Sequence, residues 1–184
     1  MSETHEIRLA APADLPAISR LIDASVRGLS VGYYTGAQIE QSLRHVFGPD
    51  SQLIADGTYY VIESSAGDIV AAGGWSRRRT LYGGDQHKGA AADPLLDPAA
   101  DAARIRALFV HPDWARRGLG RRIFEKCRAA AEAAGFTALE LGATLPGVPL
   151  YAALGFGVVE QIAVEMDGGE TLAVVKMRRA VREA

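Results

Sequence analysis

Apolar residues in the first third of the chain recur at intervals that predict helices. Helical spacing relates Leu15, Ile18, Leu21, Ile22 and Val26. A second helix is predicted at residues 37–46, where Thr35 is placed to cap the start and Gly48 and Pro49 to stop the end. A short strand at residues 7–9 precedes both helices. The chain therefore begins with one strand and two amphipathic helices.

β-Branched and aromatic residues dominate the next segments and predict strands. A hairpin of residues 58–63 and 69–75 comes first. Later, a strand at residues 105–110 leads through a turn into a helix at 118–134. The remaining predicted elements are strands at 138–141, 158–159 and 172–177 and a short helix at 149–154. This order predicts one mixed α/β sheet.

Residues 77–103 have no sustained hydrophobic period. Glycine, alanine and proline are frequent there, and three arginines, Arg77, Arg78 and Arg79, open the segment. A loop of this length within a compact domain is usually functional or disordered. Both flanks look like strands of one sheet, so we predict a partly ordered excursion over the surface rather than a linker between domains.

Composition excludes several classes of protein. The length of 184 residues and the 48% hydrophobic content suit one domain, which we expect to span residues 1–184. One cysteine rules out a disulfide framework, and 20 basic against 22 acidic residues argue against a nucleic-acid partner. No apolar run reaches the ~20 residues of a membrane span. The first six residues lack the features of a signal peptide, so we expect a cytoplasmic location without a membrane partner.

The near-neutral total conceals a basic segment. Between Arg104 and Arg128 there are eight basic and two acidic residues, a local charge of +6, so the rest of the chain carries −8. Such a segment is either a solvated face or an anion site, and the backbone that accompanies it decides between them. Here it surrounds a Gly-x-Gly sequence at Gly118 and Gly120, between a predicted strand and a predicted helix.

A Gly-x-Gly at a helix start can bind phosphate, because the first helical amides lack intrahelical acceptors and glycine lets the ligand approach the backbone. The sequence is not a Walker loop, and it lacks the third glycine of a dinucleotide fingerprint. A merely structural tight turn fits these two glycines equally well.

Two longer motifs resolve this ambiguity. Residues 108–121, Leu-Phe-Val-His-Pro-Asp-Trp-Ala-Arg-Arg-Gly-Leu-Gly-Arg, resemble motif A of the GNAT (GCN5-related N-acetyltransferase) family. Residues 150–156, Leu-Tyr-Ala-Ala-Leu-Gly-Phe, resemble the Tyr-x-x-x-Gly-Phe segment of that family. The resemblance implies an α/β fold of the α+β mixed-sheet type. It also implies a central, mostly antiparallel sheet splayed between its fourth and fifth strands and flanked by about four helices.

The resemblance further implies that acetyl-CoA binds as cosubstrate. Main-chain groups of Leu108 and Val110 would pair with pantetheine, and the side chain of Thr144 would hydrogen-bond it. The pyrophosphate would lie against the loop Arg116, Arg117, Gly118, Leu119, Gly120 and Arg121. Two positions depart from the family pattern: Ala115 stands where Arg or Gln is usual, and Thr144 stands where Asn is frequent.

For catalysis, the resemblance assigns two groups. The phenol of Tyr151 would stabilise or protonate the thiolate that leaves, and the Val110 amide would donate to the developing oxyanion. Tyr151 could instead only pack its short helix. No general base is assigned. Solvent exposure explains Glu63 more simply and explains Glu140 equally well, and a role in shaping the loop explains His111 more simply; Asp97 and Asp101 lie where the long loop rejoins the sheet.

In this family the acceptor contacts the first two helices and the open side of the sheet, which implicates Tyr33, Tyr34, Trp75 and the 77–103 excursion. Tyr33 and Tyr34 could equally form a turn that packs on the core, and Trp75 could be a core residue. Asp85 and His87 lack a third ligand at suitable spacing, so no metal site is expected.

The leading functional hypothesis is transfer of an acetyl group, or a somewhat longer acyl group, to a primary amine of a small molecule or peptide. Direct attack in a ternary complex would be the route. A non-catalytic acyl-CoA-binding or regulatory module is the alternative, and a nucleotide-binding protein that uses the glycine loop is a third. Pairing of sheet edges, common in the family, suggests a homodimer.

Overall fold

A seven-stranded sheet in the order β1-β2-β3-β4-β5-β7-β6 organises the chain. The computed structural model describes residues 5–89 and 92–182. The strands are β1 Ile7–Leu9, β2 Tyr59–Glu63, β3 Ile69–Ser76, β4 Ala103–Val110, β5 Ala138–Thr144, β6 Gly157–Glu165 and β7 Thr171–Ala180. The helices are α1 Leu15–Leu29, α2 Gly36–His45, α3 Ser51–Ala55, α4 Asp85–Lys88, α5 Leu119–Ala133 and α6 Val148–Ala153. None of the helices within the described ranges has the length and apolarity needed to cross a membrane.

Helices cover both faces of the sheet, and strand β2 shows the consequence. Tyr60 and Ile62 pack into the core on the α5 side, whereas Tyr59 and Val61 pack into the core on the α1 side. All four are at most 8% exposed. A strand buried on both faces reads as a continuous apolar run rather than as an alternating one.

All seven predicted strands and the four predicted helices are present, and the predicted fold class is confirmed. Thr35 caps α2, because its hydroxyl accepts a hydrogen bond from the Gln38 amide at 3.1 Å. The main difference is β6, predicted at residues 158–159 and observed over Gly157–Glu165. Most of its residues are exposed at the edge of the sheet, so they lack the apolar pattern by which a strand is recognised.

The short helices α3 and α4 were not predicted. Asp50 caps α3 by accepting from the Leu53 amide at 3.3 Å, and five residues are too few to establish a helical period. Helix α4 lies inside the 77–103 excursion, whose Ala90 and Ala91 fall outside the described residues, as do residues 1–4.

Strands β4 and β5 separate soon after they meet. They are the only parallel neighbours in the described sheet, and their pairing is limited to Ala103 with Leu139 and Arg104 with Glu140. Beyond this point β4 bulges, and Ala107 has a positive φ of 50°. The register against β3 shifts there by one residue. An extra residue bends its strand and ends regular pairing, which explains the splay.

The excursion is attached to the sheet by buried charges. The Arg106 Nη2 atom lies 2.8 Å from an Asp50 carboxylate oxygen, and both side chains are at most 2% exposed. Arg106 also donates to the carbonyls of Thr80 at 3.0 Å and Gly83 at 2.6 Å. Lys88 of α4 donates to the other oxygen of Asp50. Each buried charge therefore has a partner, and residues 80–88 are held against β4.

Replacing Asp50 with Ala should strongly destabilise the protein. Arg106 would stay buried without its carboxylate, and breaking a buried pair by removing one partner costs about 3–5 kcal/mol. Urea titration measures the free energy of unfolding. Asp23→Ala is the control, because Asp23 pairs with Arg27 on an exposed helix face. Equal losses in the two variants would contradict the role given to the buried pair.

Candidate active site

A cavity of about 190 Å³ opens where β4 and β5 separate. Four of the residues predicted from the sequence line it: Leu108, Val110, Thr144 and Tyr151. Its other walls come from the last turn of α1, from residues 81–84 of the excursion and from Ala107 and Phe109 of β4. The structure thus gathers residues from five separate segments of the chain around one opening in the sheet.

The bulge in β4 distributes side chains to both sides of this opening. Leu108 and Val110 pack toward the α5 core, whereas Ala107 and Phe109 pack toward the α1 core. Tyr59 supports the bulge from below, since its hydroxyl donates to the Ala107 carbonyl at 3.1 Å. No β5 residue pairs with residues 105–110 in the described sheet, so this stretch of β4 backbone borders the cavity instead.

The loop before α5 has the backbone of an anion cradle. Arg116 has φ +64° and Gly118 has φ +80°, and the helix starts at Leu119. A non-glycine residue at positive φ is uncommon and costs conformational energy. His111 supports the loop, because its Nδ1 accepts from the Asp113 amide at 3.2 Å. The first amides of the 15-residue helix α5 therefore have no intrahelical acceptor and lie beside strongly turned backbone.

The two glycines of this loop have different tasks. Gly118 supplies the left-handed conformation, and a Cβ there would meet nothing within 4 Å. Gly120 is buried, and a Cβ there would lie 3.1 Å from Leu150 Cδ2. The second glycine therefore allows α5 to pack closely against α6, which carries Tyr151.

The basic segment divides into two groups. Arg104 and Arg106 turn into the structure, where they pair with Glu140 and Asp50. The others lie along the loop and α5. Arg117 stacks on the Trp114 ring at 4.8 Å, and Arg116 and Arg121 are exposed. The exposed charge available to an anion is thus concentrated around the glycine loop.

Tyr151 lies in the wall of the cavity on α6. Its side chain is buried, and its ring meets Phe156 edge-on with centroids 5.8 Å apart. Burial raises the pKa of the phenol above its ordinary value, so the group is protonated at neutral pH. A Cβ on Gly147 would lie 3.2 Å from Tyr151 Cε2 and 3.3 Å from Thr144 Oγ1. The absence of a side chain at Gly147 leaves Thr144 and Tyr151 facing the same space.

The three aromatic residues predicted for the acceptor do not line the cavity. Tyr33 is half exposed. Trp75 is 3% exposed and packs edge-on against Phe136 in the core. Tyr34 is buried, and its hydroxyl donates to the Ala173 carbonyl at 2.7 Å and accepts from the Leu145 amide at 2.8 Å. Trp75 therefore packs in the core, and Tyr34 links the backbone of β7 to that of residue 145 by hydrogen bonds.

Other residues from the regions implicated by the resemblance, the first two helices and the excursion, line this side of the cavity. Leu29 ends α1, Phe47 follows α2 and Tyr82 lies in the aperiodic excursion. Tyr82 covers Gly142 of β5, where a Cβ would lie 3.2 Å from its ring. The resemblance implicates the excursion as a whole, but no hydrophobic period within it distinguishes Tyr82.

The carboxylates considered as general bases are engaged elsewhere. Glu140 is 6% exposed and accepts from Arg104 and from Arg178, the latter at 2.9 Å. Asp97 and Asp101 close a local turn, in which the Asp97 amide donates to Asp101 at 2.8 Å. Neither aspartate lines the cavity, and neither does Glu140.

Glu63 and His111 also lie outside the cavity. Glu63 accepts from Arg8 at 3.0 Å at the β1–β2 edge of the sheet, and the His111 side chain accepts a hydrogen bond within the loop before α5. Asp85 accepts from the Ser51 amide at 3.0 Å, and His87 packs against the Tyr82 ring. Within the ranges that the structure describes, no charged side chain lines the cavity, and no three metal-ligating side chains cluster anywhere.

Comparison with known proteins identifies the class to which this site belongs. The family model described as an acetyltransferase (GNAT) domain matches residues 55–158, which include β4, the glycine loop and Tyr151. The chain belongs to the GNAT acetyltransferase family. It is an acyltransferase enzyme of the N-acetyltransferase type. No curated protein matches the chain significantly.

Solved structures share the fold at low sequence identity. A GCN5-related N-acetyltransferase from Rhodopseudomonas palustris is 21% identical with a TM-score of 0.70, over 98% of both chains. The PaiA N-acetyltransferase of Thermoplasma acidophilum, solved with coenzyme A, is 13% identical with a TM-score of 0.64, over 96% of this chain and 99% of its own. YncA of Salmonella typhimurium, a putative acetyltransferase solved with acetyl-CoA, is 19% identical with a TM-score of 0.62, over 99% and 96%.

Replacing Gly118 with Ala should lower stability and weaken binding of CoA. A Cβ meets no atom there, so the cost comes from the left-handed conformation, about 1–2 kcal/mol for a non-glycine residue. Gly36→Ala is the control, because that exposed glycine begins α2 without a positive φ. Urea denaturation and calorimetric titration with CoA measure both effects. If both variants behave as wild type, the loop does not depend on its left-handed residue.

Proposed function

We propose that this enzyme transfers an acetyl group from acetyl-CoA to a primary amine of a small molecule or peptide by direct attack in a ternary complex. The main support for this proposal is the cavity where β4 and β5 separate. The β4 bulge, Thr144 and Tyr151 meet there, beside the start of α5. The proposal treats residues 1–184 as a single domain.

The chain offers suitable partners for each part of acetyl-CoA. Main-chain groups of Leu108 and Val110 border the cavity without a β5 partner, so they can pair with an extended amide chain as a neighbouring strand would. Thr144 adds a hydroxyl on the opposite wall. The amides of residues 116–121 and the charges of Arg116 and Arg121 suit a pyrophosphate. Ala115 lacks the polar side chain that is usual at its position in the family. The neighbouring Arg116 can supply the missing side-chain contact to the pyrophosphate.

Tyr151 acts on the leaving sulfur. Acetyl-CoA supplies an activated acetyl thioester, whose sulfur gains negative charge as the amine attacks. Burial raises the pKa of Tyr151 above the ordinary phenol value of about 10, so the phenol carries its proton when the sulfur becomes negative. Tyr151 can therefore stabilise the thiolate as a hydrogen-bond donor or protonate it.

The Val110 amide has a complementary role. It lies on the β4 side of the cavity, at the end of the bulge, where β4 lacks a β5 partner. A backbone donor fixed in advance can stabilise the charge that develops on the acetyl oxygen without reorganisation during the reaction. The bulge thus serves both binding and chemistry.

Replacing Tyr151 with Phe should lower kcat by about 100-fold while leaving the Kd for acetyl-CoA within about twofold, because the donor acts on the developing charge. Tyr60→Phe is the matched control: Tyr60 is also 8% exposed but lies outside the cavity. Thiol release measures kcat, and calorimetry measures Kd. Unchanged turnover in Tyr151→Phe would remove this residue from the mechanism.

Replacing Arg121 with Ala should raise the Kd for CoA by about tenfold, as expected when one charge-assisted hydrogen bond to phosphate is lost. Arg128→Ala on the same helix is the control, because Arg128 pairs with Glu125 and Glu132. The difference between the two variants should shrink in high salt. Equal Kd values at low salt would exclude Arg121 from the binding site.

A non-catalytic acyl-CoA-binding module is the second candidate function. Two observations favour it: the cavity has no charged side chain in the described residues, and Ala115 departs from the family pattern. The two functions differ in one measurement. A module would bind acetyl-CoA yet release no thiol with any amine in a broad panel.

A cytoplasmic location and a homodimer complete the proposal. The edge strand β6 supports the dimer, because Val158 and Val159 are 65% and 52% exposed on it. Unpaired edge strands with exposed apolar residues favour pairing with another chain.

A further inference from the structure

The acceptor side of the cavity is mostly apolar and partly aromatic. On the α1 side of the sheet, Phe47 and Phe109 meet edge-on with ring centroids 6.2 Å apart. Tyr82 closes the opening over Gly142. The wall is completed by the apolar side chains of Val26, Leu29 and Leu81 and by two uncharged serines, Ser25 and Ser30. Such a lining gains free energy by covering apolar surface and offers flat faces to a ring.

Charged groups near this wall are already neutralised by one another. Arg106 and Lys88 share Asp50, and Lys88 Nζ also lies 3.6 Å from Asp85. Two cations and two carboxylates therefore balance. Arg106 reaches the wall only through the Gly83 carbonyl, to which it donates. An ammonium group in the cavity would find no carboxylate among the described lining residues.

We propose that the acceptor is an amine carried on an apolar group of about one ring, and that it enters the cavity uncharged. This inference rests on the proposed function and specifies its substrate class. Burying an unpaired charge in apolar surroundings is far more costly than burying a neutral amine. With no base in the wall, the amine loses its first proton to solvent before it binds.

The balance of the reaction then needs no enzymatic base. The amine nitrogen forms a bond to the acetyl carbonyl carbon, and the carbon–sulfur bond to CoA breaks. The sulfur takes the electron pair of that bond. One N–H proton leaves the nitrogen and ends on the CoA sulfur or in solvent. The amide product is neutral, as the apolar wall requires.

The size of the cavity limits the acceptor. Its volume is about 190 Å³, and a dry apolar cavity of about 150 Å³ holds one benzene ring. The acetyl end of the cosubstrate shares this space. Polyamines carry several charges along their chains, and the described lining offers those charges no ionic partner.

Three amines with acetyl-CoA test the proposal by thiol release: 4-methoxyaniline, phenethylamine and spermidine. Phenethylamine and spermidine both carry alkylamines, so their comparison isolates the carrier group. At neutral pH the kcat/KM of each apolar amine should exceed that of spermidine by at least about tenfold. This is the difference expected when one charge of spermidine is partly buried without a partner.

The pH dependence tests whether the amine enters uncharged. An alkylamine with a pKa near that of lysine, about 10.4, has about one neutral molecule in 2,500 at pH 7. For phenethylamine, kcat/KM should therefore rise about tenfold per pH unit between about pH 6.5 and 8.5. For 4-methoxyaniline, which is neutral throughout this range, kcat/KM should stay level.

A carboxylate introduced into the wall should reverse the preference. Leu81→Glu provides a counter-ion for an ammonium, and Leu81→Gln is its uncharged control of similar shape. The Glu variant should raise kcat/KM for spermidine at least about tenfold over the Gln variant. Leu29→Glu with Leu29→Gln is a second pair, at the half-buried end of α1, should the first fail to fold.

The outcomes separate this inference from the function on which it rests. A preference for spermidine in the wild type, or a level pH profile for phenethylamine, overturns the acceptor class while the acetyltransferase function stands. If acetyl-CoA binds but neither the three amines nor any amine of a broader panel gives thiol release, the proposed function and the inference are both overturned.

Discussion

The separation of β4 from β5 is the constraint on which the rest of the structure depends. Parallel strands pair only while both backbones remain regular, and the positive φ of Ala107 ends that regularity close to the last pair at Arg104. The peptide groups beyond it need other partners, because an unpaired buried amide is costly. In the proposed function an extended ligand supplies them. Tyr151 borders this opening, and the start of α5 lies next to it, because Gly120 packs against Leu150, Leu108 and Val110.

The charge pattern gains a second meaning once the fold is known. In the sequence, the basic segment is one continuous feature, yet its members act in two ways. Arg106 neutralises Asp50, which is 56 residues away, and so supports the cavity wall formed by residues 81–84. Arg116 and Arg121 remain at the surface beside the glycine loop. Spacing along the chain cannot separate these groups, because it contains no information about partners so distant.

Local chemistry explains which features the sequence could predict. Helices α1 and α5 have a regular apolar period, and the cap at Thr35 uses a local hydrogen bond, so both were foreseeable. Long-range packing explains the rest. Tyr34 looked equally suited to a pocket or to a core, and its two backbone partners lie more than 100 residues away. Tyr82 reaches the cavity because buried charges hold the excursion, which no periodicity reveals. The predicted contacts of Leu108, Thr144 and Tyr151 with acetyl-CoA stay predictions, although all three border the cavity.

Cys127 is the single cysteine of the chain, and it is wholly buried on the inner side of α5. Burial raises the pKa of its thiol above the ordinary value, which keeps the reactive thiolate scarce in the folded protein. A chromogenic thiol reagent added to a transfer reaction therefore counts released CoA without a background from the enzyme. In denaturant the same reagent labels only the sulfur of Cys127. The rate of this labelling therefore measures how fast the core around α5 opens.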